Sequence, residues 1–307
     1  MHQAGLSVGA ATLMVLIGGP LTLGLAGFLT ADRAPAGAVA NRVPPWNLKP
    51  TITSAMLYAL AFNLIFFIQE LFLVLPKALT PGLRPTLFHN NHTWTGENPL
   101  AHLFQGTGAL AILLSAIGCA LLLRRFPARS SSLRLFLVWM AFNGFFQSLP
   151  QVVIGSIEPE NDVGMAMDYL RLGEPAKAAV AVVALIAIPV AALWLRRPLL
   201  SLAEHPADIA SIRARMIFMF RVATVPALAA ILLVIPFRVP REFTEVVMVP
   251  VMVTLSGIVW LQAGAWATSG IEASGRLSKE PNSHAIGGLV ILLLIFQLLL
   301  RPGIRFY

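Results

Sequence analysis

The sequence predicts an all-α fold, a polytopic transmembrane helix bundle of about eight spans. Three observations predict it. The chain is 57% hydrophobic and only 12% charged, where a soluble domain carries about 25% charged residues. Its mean hydropathy is +0.77. Apolar runs near the length of about 20 residues that one helical span needs recur along the whole chain, and short segments holding most of the charges separate them.

The runs fall at 6–30, 51–76, 100–123, 133–157, 176–195, 216–237, 246–268 and 284–300. Helices are required because lipid leaves no backbone group unpaired. The period-2 alternation of a membrane barrel is absent. The first run follows Met-His-Gln-Ala-Gly, which lacks the basic stretch of a signal peptide. The run is too long for a cleavable apolar region, so it is expected to be a retained span. Pro44, Pro45 and Pro50 break the chain before the second run, and Pro127 with the serines at 130–132 before the fourth. Pro20, Pro150, Pro189, Pro226 and Pro250 lie inside runs. There they predict kinked helices whose freed carbonyls are satisfied by neighbours. Gly5 and Gly9 form a small-xxx-small pair. The segment from Leu199 to Arg215 reads either as an interfacial amphipathic helix or as a solvated loop with one helical turn. No internal repeat supports an inverted-repeat transporter. The organisation expected is an N-terminal span with its loop (1–50), a three-span core (51–175) and a C-terminal four-span bundle (176–307).

The formal charge of +8 does not point to nucleic acid. The basic residues sit in short loops without interleaved aromatics, a pattern that fits topology and anionic lipid. One cysteine, Cys119, lies in an apolar run and allows no intrachain disulfide or zinc ribbon. Alternate loops differ in Lys and Arg. Arg33, Arg42, Lys49, Arg124, Arg125, Arg129, Arg134, Arg196, Arg197, Arg213, Arg215, Arg276 and Lys279 fall on one side, thirteen in all. Lys77, Arg84, Arg171, Lys177, Arg238, Arg241, Arg301 and Arg305 fall on the other, eight in all. Arg221 lies within a run. The positive-inside rule places the first set in the cytoplasm and both termini outside, in a bacterial-type inner membrane.

Glu70 is the one acidic residue well inside a run. A carboxylate there costs about 2.5–3.5 kcal/mol on insertion scales, so it faces a cavity or a partner. Gln69 adjoins it, and Asn63, seven residues earlier, shares its helix face. Arg221 either pairs with Glu70 or snorkels to the surface. The next loop carries His89 and His92, whose His-x-x-His spacing suits a shared metal on one helical turn. Asn90 and Asn91 between them suggest a turn instead. The fourth loop is acidic, with Glu158, Glu160, Asp162, Asp168 and Glu174. Asn161 or Asp162 is expected to cap a short helix that Gly173 ends.

Taken in order, these pieces resemble the site-2 protease family of membrane metallopeptidases over roughly residues 55–175. Gln69-Glu70-Leu71-Phe72-Leu73 stands where that family has His-Glu-x-x-His. Gly106-Thr107-Gly108-Ala109-Leu110-Ala111 is similar to its small-residue motif. Leu149-Pro150 through Asn161-Asp162-Val163-Gly164 is similar to the segment bearing its third zinc ligand. The resemblance implies Glu70 at the general-base position and Asp162 at the third-ligand position. Gln69 and Leu73 replace both ligand histidines, and neither serves as a zinc ligand. Without zinc there is no activated water. The resemblance therefore implies an inactive relative with no cofactor, whose polar pocket around Glu70 and Asp162, with Asn63, Gln69 and Asn161, binds a partner helix, lipid or ion. Three other readings stand beside it. One is a metalloenzyme with a rearranged zinc site of Glu70, His89, His92 and Asp162. Another is an accessory subunit of a larger, energy-transducing membrane complex, packed against other transmembrane subunits. The last is a proton-coupled transporter using Glu70.

Overall fold

The computed structural model describes residues 2–32, 45–125, 130–240, 243–277, 279–280 and 282–307. Eight helices among them are long and apolar enough to cross a membrane. They are α1 (Ser7–Thr30), α2 (Leu48–Ala78), α3 (Leu100–Arg125), α4 (Ser131–Ile157), α6 (Glu174–Leu200), α7 (Ile212–Arg238), α8 (Val246–Ala267) and α9 (Ser283–Leu300). The ninth helix, α5 (Asp162–Tyr169), is short. The chain is an integral membrane protein, an all-α polytopic bundle. Among the residues used above for loop breaks and orientation, Arg33, Arg42, Pro44, Pro127, Arg129 and Arg241 lie outside the described residues.

The central helices are α2 and α4, the two most buried spans. Tyr58 and Phe62 from α2 meet Trp139, Phe142 and Phe146 from α4, all wholly buried. The Tyr58 and Trp139 rings meet edge to face, 4.9 Å between centroids. The polar ends of these aromatics are satisfied: Trp139 Nε1 donates to Ser54 Oγ (3.1 Å), and Tyr58 bonds Thr254 of α8 (2.8 Å). Side chains thus supply the hydrogen bonds that lipid cannot.

Spans α3, α6, α7, α8 and α9 pack around this pair, and α1 lies outermost against α8. Two tryptophans hold α1 in place. Trp260 Nε1 donates to Val15 O (3.1 Å) and Trp266 Nε1 to Leu23 O (3.0 Å). Their rings lie where a Cβ on Gly19 or Gly27 would stand. Gly9 of the Gly5/Gly9 pair has open space beside it and makes no such contact.

The intramembrane prolines have a visible consequence. Among the described residues four π-helical turns occur, Met14–Gly18, Phe220–Thr224, Thr244–Met248 and Ile295–Leu300, each two residues before Pro20, Pro226, Pro250 or Pro302; Pro150 and Pro189 lie in continuous α-helix. A proline ring clashes with the carbonyl four residues back. Widening the preceding turn relieves that clash and frees carbonyls for other donors. Two of them, at Arg221 and Val222, accept from Thr51 Oγ1 (2.9 Å) and Ser54 Oγ (2.6 Å) of α2.

Between α7 and the end of α6 the chain forms only a 3₁₀ turn, Pro206–Asp208. The Leu199–Arg215 segment is therefore a loop with one helical turn, not an interfacial helix. Gly173 does not end α5: Leu170 caps it, and Gly173 is the N-cap of α6.

The loops after α3, α6 and α8 meet on one face. There Glu280 accepts from Ser130 Oγ (2.8 Å), Ser131 N (2.6 Å) and Ser132 N (2.8 Å). A loop carboxylate thus serves the orphan amides at the start of α4. Burial alone would raise this carboxyl, but the bonds from Ser132, Ser130 and Ser131 together hold it below the ordinary 4.5. A depressed carboxyl contributes stability above its unfolded value and loses it as pH falls through the folded one. Glu280→Gln is expected to destabilise the protein at neutral pH by about 0.5–1 kcal/mol, the range for a partly exposed helix-start charge. Thermal unfolding in detergent, followed from pH 7 to pH 3, should show the difference from wild type shrink below about pH 4.5.

Candidate functional site

The opposite face carries the chain's only sheet among the described residues. Strand β1 (Arg84–Leu87) pairs antiparallel with β2 (His92–Thr95) and with β3 (Ile304–Arg305), in the order β2-β1-β3. The His-Asn-Asn-His stretch is the hairpin's tip, closed by Phe88 N to Asn91 O (2.8 Å). Since residues along a strand and its turn point in different directions, the two histidines part. His89 donates from Nε2 to Val239 O (3.2 Å), beside Asn90, which donates to Arg238 O (2.6 Å). His92 points into the bundle.

There it meets a buried polar cluster at the hairpin end of α2. His92 Nδ1 lies 2.9 Å from Glu70 Oε2, and both side chains are over nine-tenths buried. Lys77, one helix face along from Glu70, is wholly buried. Its ammonium donates to Gln105 Oε1 (2.7 Å) and approaches His92 Nε2 to 3.2 Å. It also sits 4.3 Å from the Trp94 ring centroid, and Trp94 stacks on His92, 5.7 Å between centroids. A carboxylate only accepts, so His92 Nδ1 donates to Glu70; Nε2 faces the Lys77 ammonium and, at 3.1 Å, Gln105 Oε1.

Asp162 adds a second carboxylate from α5, whose N-cap is Asn161, accepting from Val163 N (3.2 Å). Burial pushes the Asp162 carboxyl up. His92 pulls it back, Glu70 raises it further, and Lys77 opposes that rise. Asp168, the other α5 carboxylate, pairs instead with Lys177 (2.5 Å). Two carboxylates and one lysine thus share a neighbourhood with an imidazole between them.

The remaining expected residues lie around this cluster without joining it. Gln69 accepts from Gln151 Nε2 (2.8 Å), an amide pair between α2 and α4. Asn63 is buried and donates to Ala59 O of its own helix (2.8 Å). Gly108 lies against Gln69 and Leu73, so close that a Cβ would fall 3.0 Å from the Gln69 carbonyl oxygen. The small-residue motif therefore seats α3 on α2. The four-residue set of Glu70, His89, His92 and Asp162 does not converge, because His89 is turned to α7. Among the described residues, no group of three or more His, Cys, Asp or Glu side chains is arranged to hold a metal. Arg221 does not meet Glu70: it stacks on Trp46, 5.5 Å from the ring. Its carbonyl bonds Thr51, about 28 Å along α2 from Glu70 at 1.5 Å per residue.

Lys77, Gln105 and Trp94 are the members that the sequence reading missed. In comparisons with known proteins, the chain matches no family model, no curated protein and no solved structure.

Removing one partner of a buried charge-assisted hydrogen bond leaves the other unsatisfied, at about 1–3 kcal/mol, whereas removing both together is closer to neutral. Lys77→Met, which strands Gln105 Oε1, is expected to destabilise the bundle by that amount. Adding Gln105→Leu should recover part of the loss. Unfolding of the two single variants and the double variant in detergent gives the coupling; additive losses would show that the pair does not interact.

Proposed function

We propose that this protein is a non-catalytic membrane scaffold, similar to a site-2 protease core from which the metal chemistry has been removed, and that it works by binding a partner helix or lipid within the bilayer. One observation carries this reading: the Lys77 ammonium donates to Gln105 Oε1 and lies 3.2 Å from His92 Nε2, the lone-pair groups that a metal ion beside Glu70 would need. A tethered cation already stands at the lone pairs of Gln105 and His92. An added divalent ion would meet the lysine's repulsion and find His92 Nε2 and Gln105 Oε1 already engaged. At the two ligand positions of the protease motif, Gln69 is paired with Gln151 and Leu73 is packed against Gly108.

The orientation belongs to the same reading. The thirteen-to-eight excess of Lys and Arg on the loops opposite the hairpin puts the hairpin and cluster at the outer face of a bacterial-type inner membrane.

Elemental analysis of the purified protein tests the proposal. The wild type should carry no stoichiometric zinc or iron. Lys77→Ala, which vacates the cation's position and leaves Glu70, His92 and Asp162, should gain a zinc-dependent rise in melting temperature that the wild type lacks. About one metal per wild-type chain, lost in His89→Ala/His92→Ala, together with metal-dependent cleavage of a transmembrane substrate that Glu70→Gln abolishes, would overturn it.

A further inference from the structure

The seam between α2 and α4 carries a line of polar side chains that neither the aromatic core nor the hairpin cluster explains. On α4, Trp139, Asn143, Gln147 and Gln151 follow one another at four-residue spacing, which sets them on one helix face. Asn143 is wholly buried and Gln147 is 5% exposed. Both stand near the middle of the span Ser131–Ile157, where hydrocarbon surrounds the bundle.

Each of these two amides uses only its nitrogen. Asn143 Nδ2 donates to Trp139 O (2.9 Å), and Gln147 Nε2 donates to Phe62 O of α2 (3.4 Å). A carbonyl oxygen only accepts, so these bonds fix which end of each amide is nitrogen. The oxygens are left over. Asn143 Oδ1 and Gln147 Oε1 are buried and accept from no donor among the described residues. Buried acceptors are almost always bonded, and an orphaned one is costly. Side chains four residues apart on a helix are neighbours, about 5–6 Å between Cβ atoms, a spacing that one small molecule with two donors spans.

Charge and size narrow the ligand. A metal or ammonium ion would need a counter-charge. Glu70 lies eight residues beyond Phe62, about 12 Å along α2 at 1.5 Å per residue, and is engaged by His92. An ion left uncompensated at this depth costs more than two amide oxygens return. The ligand is therefore neutral, and both side chains are buried from any larger solute.

We propose that Asn143 and Gln147 hold an internal water, which donates one O–H to each oxygen. Such waters serve buried polar groups that the chain itself leaves unsatisfied. The water enters from the hairpin end, where polar groups continue the line. Gln151 Nε2 donates to Gln147 O (2.7 Å) and to Gln69 Oε1 (2.8 Å), and Gln69 adjoins Glu70. Toward the other end Trp139 and Tyr58 close the line. Their rings meet edge to face, and their polar atoms are already bonded to Ser54 and Thr254. The seam is thus a blind polar passage that runs from the hairpin end to the middle of the bundle.

The test is X-ray radiolytic footprinting of the full chain in detergent, in water labelled with heavy oxygen. Hydroxyl radicals form from a bound water in place, so they oxidise buried side chains beside it that bulk radicals do not reach. Phe62, whose carbonyl Gln147 bonds, and Phe146, the residue before Gln147, are wholly buried. In the wild type they should take up label, and Phe296, buried elsewhere in the bundle, should not. Asn143→Leu/Gln147→Met keeps the side-chain size without the oxygens and should lose the label. If the double variant does not fold, Asn143→Leu alone serves, since its one bond goes to a carbonyl that its own helix already uses. Thermal unfolding of Asn143→Leu gives a second readout. Loss of a water-bound oxygen lowers the melting temperature, whereas loss of an orphaned one raises it. No label in the wild type, label retained in a folded variant, or a melting temperature raised by Asn143→Leu would overturn the proposal.

Discussion

Everything in this molecule answers to one constraint: a bilayer offers no water, so each polar group must find its partner inside the bundle. The backbone answers by being helical. The side chains answer case by case. Trp139 reaches Ser54, Tyr58 reaches Thr254, and Trp260 and Trp266 reach the carbonyls of α1. The prolines add carbonyls to be satisfied, and the widened turns in front of them hand those carbonyls to α2. Fixing the helices laterally is largely the work of these bonds, because apolar side chains pack against lipid nearly as well as against one another.

The same constraint explains why the charged residues gather into two groups at opposite ends. At the hairpin end the charged groups face inward, Lys77 to Gln105 and His92, and His92 to Glu70. At the other end Glu280 spends its charge on the first amides of α4, and Arg221, Glu204 and Asp208 line a cavity. The hairpin is the device that permits the first arrangement. Without β2, neither His92 nor Trp94 would lie over Lys77 and Glu70, and two opposite charges on α2 would face an opening.

The spans were legible in the sequence because a length of about 20 apolar residues is a physical requirement, not a tendency. A cap at Asn161 or Asp162 was legible for a similar reason, as a short polar side chain bonds the free amides of a helix start, and Asn161 is the one that takes it. Glu70 stood out as a lone intramembrane carboxylate, and His92 was named with it. Their third partner escaped notice. Lys77 follows Glu70 by seven residues, the spacing that linked Asn63 to Glu70, yet it lies at the edge of an apolar run and reads there as a loop charge. Gln105 carries no signal of its own until folding brings it to Lys77. The hairpin escaped as well, although Thr93, Trp94 and Thr95 are strand formers after an Asn-Asn turn. Of the two readings of His89 and His92, a shared metal on one helical turn needs both rings on one side; the turn that Asn90 and Asn91 suggest is the hairpin tip, which sends them apart.

The third strand of the sheet has a bearing on biogenesis. Thr86 and Leu87 pair with Arg305 and Ile304, and Phe306 N donates to Pro85 O (3.1 Å), joining the second loop to residues that follow the eighth span. A chain that enters the membrane in order from its N-terminus exposes one edge of β1 until six further spans have been inserted. The hairpin and the charges it covers therefore acquire their final support last. Insertion of α9 doubles as the step that locks the hairpin end of the bundle shut.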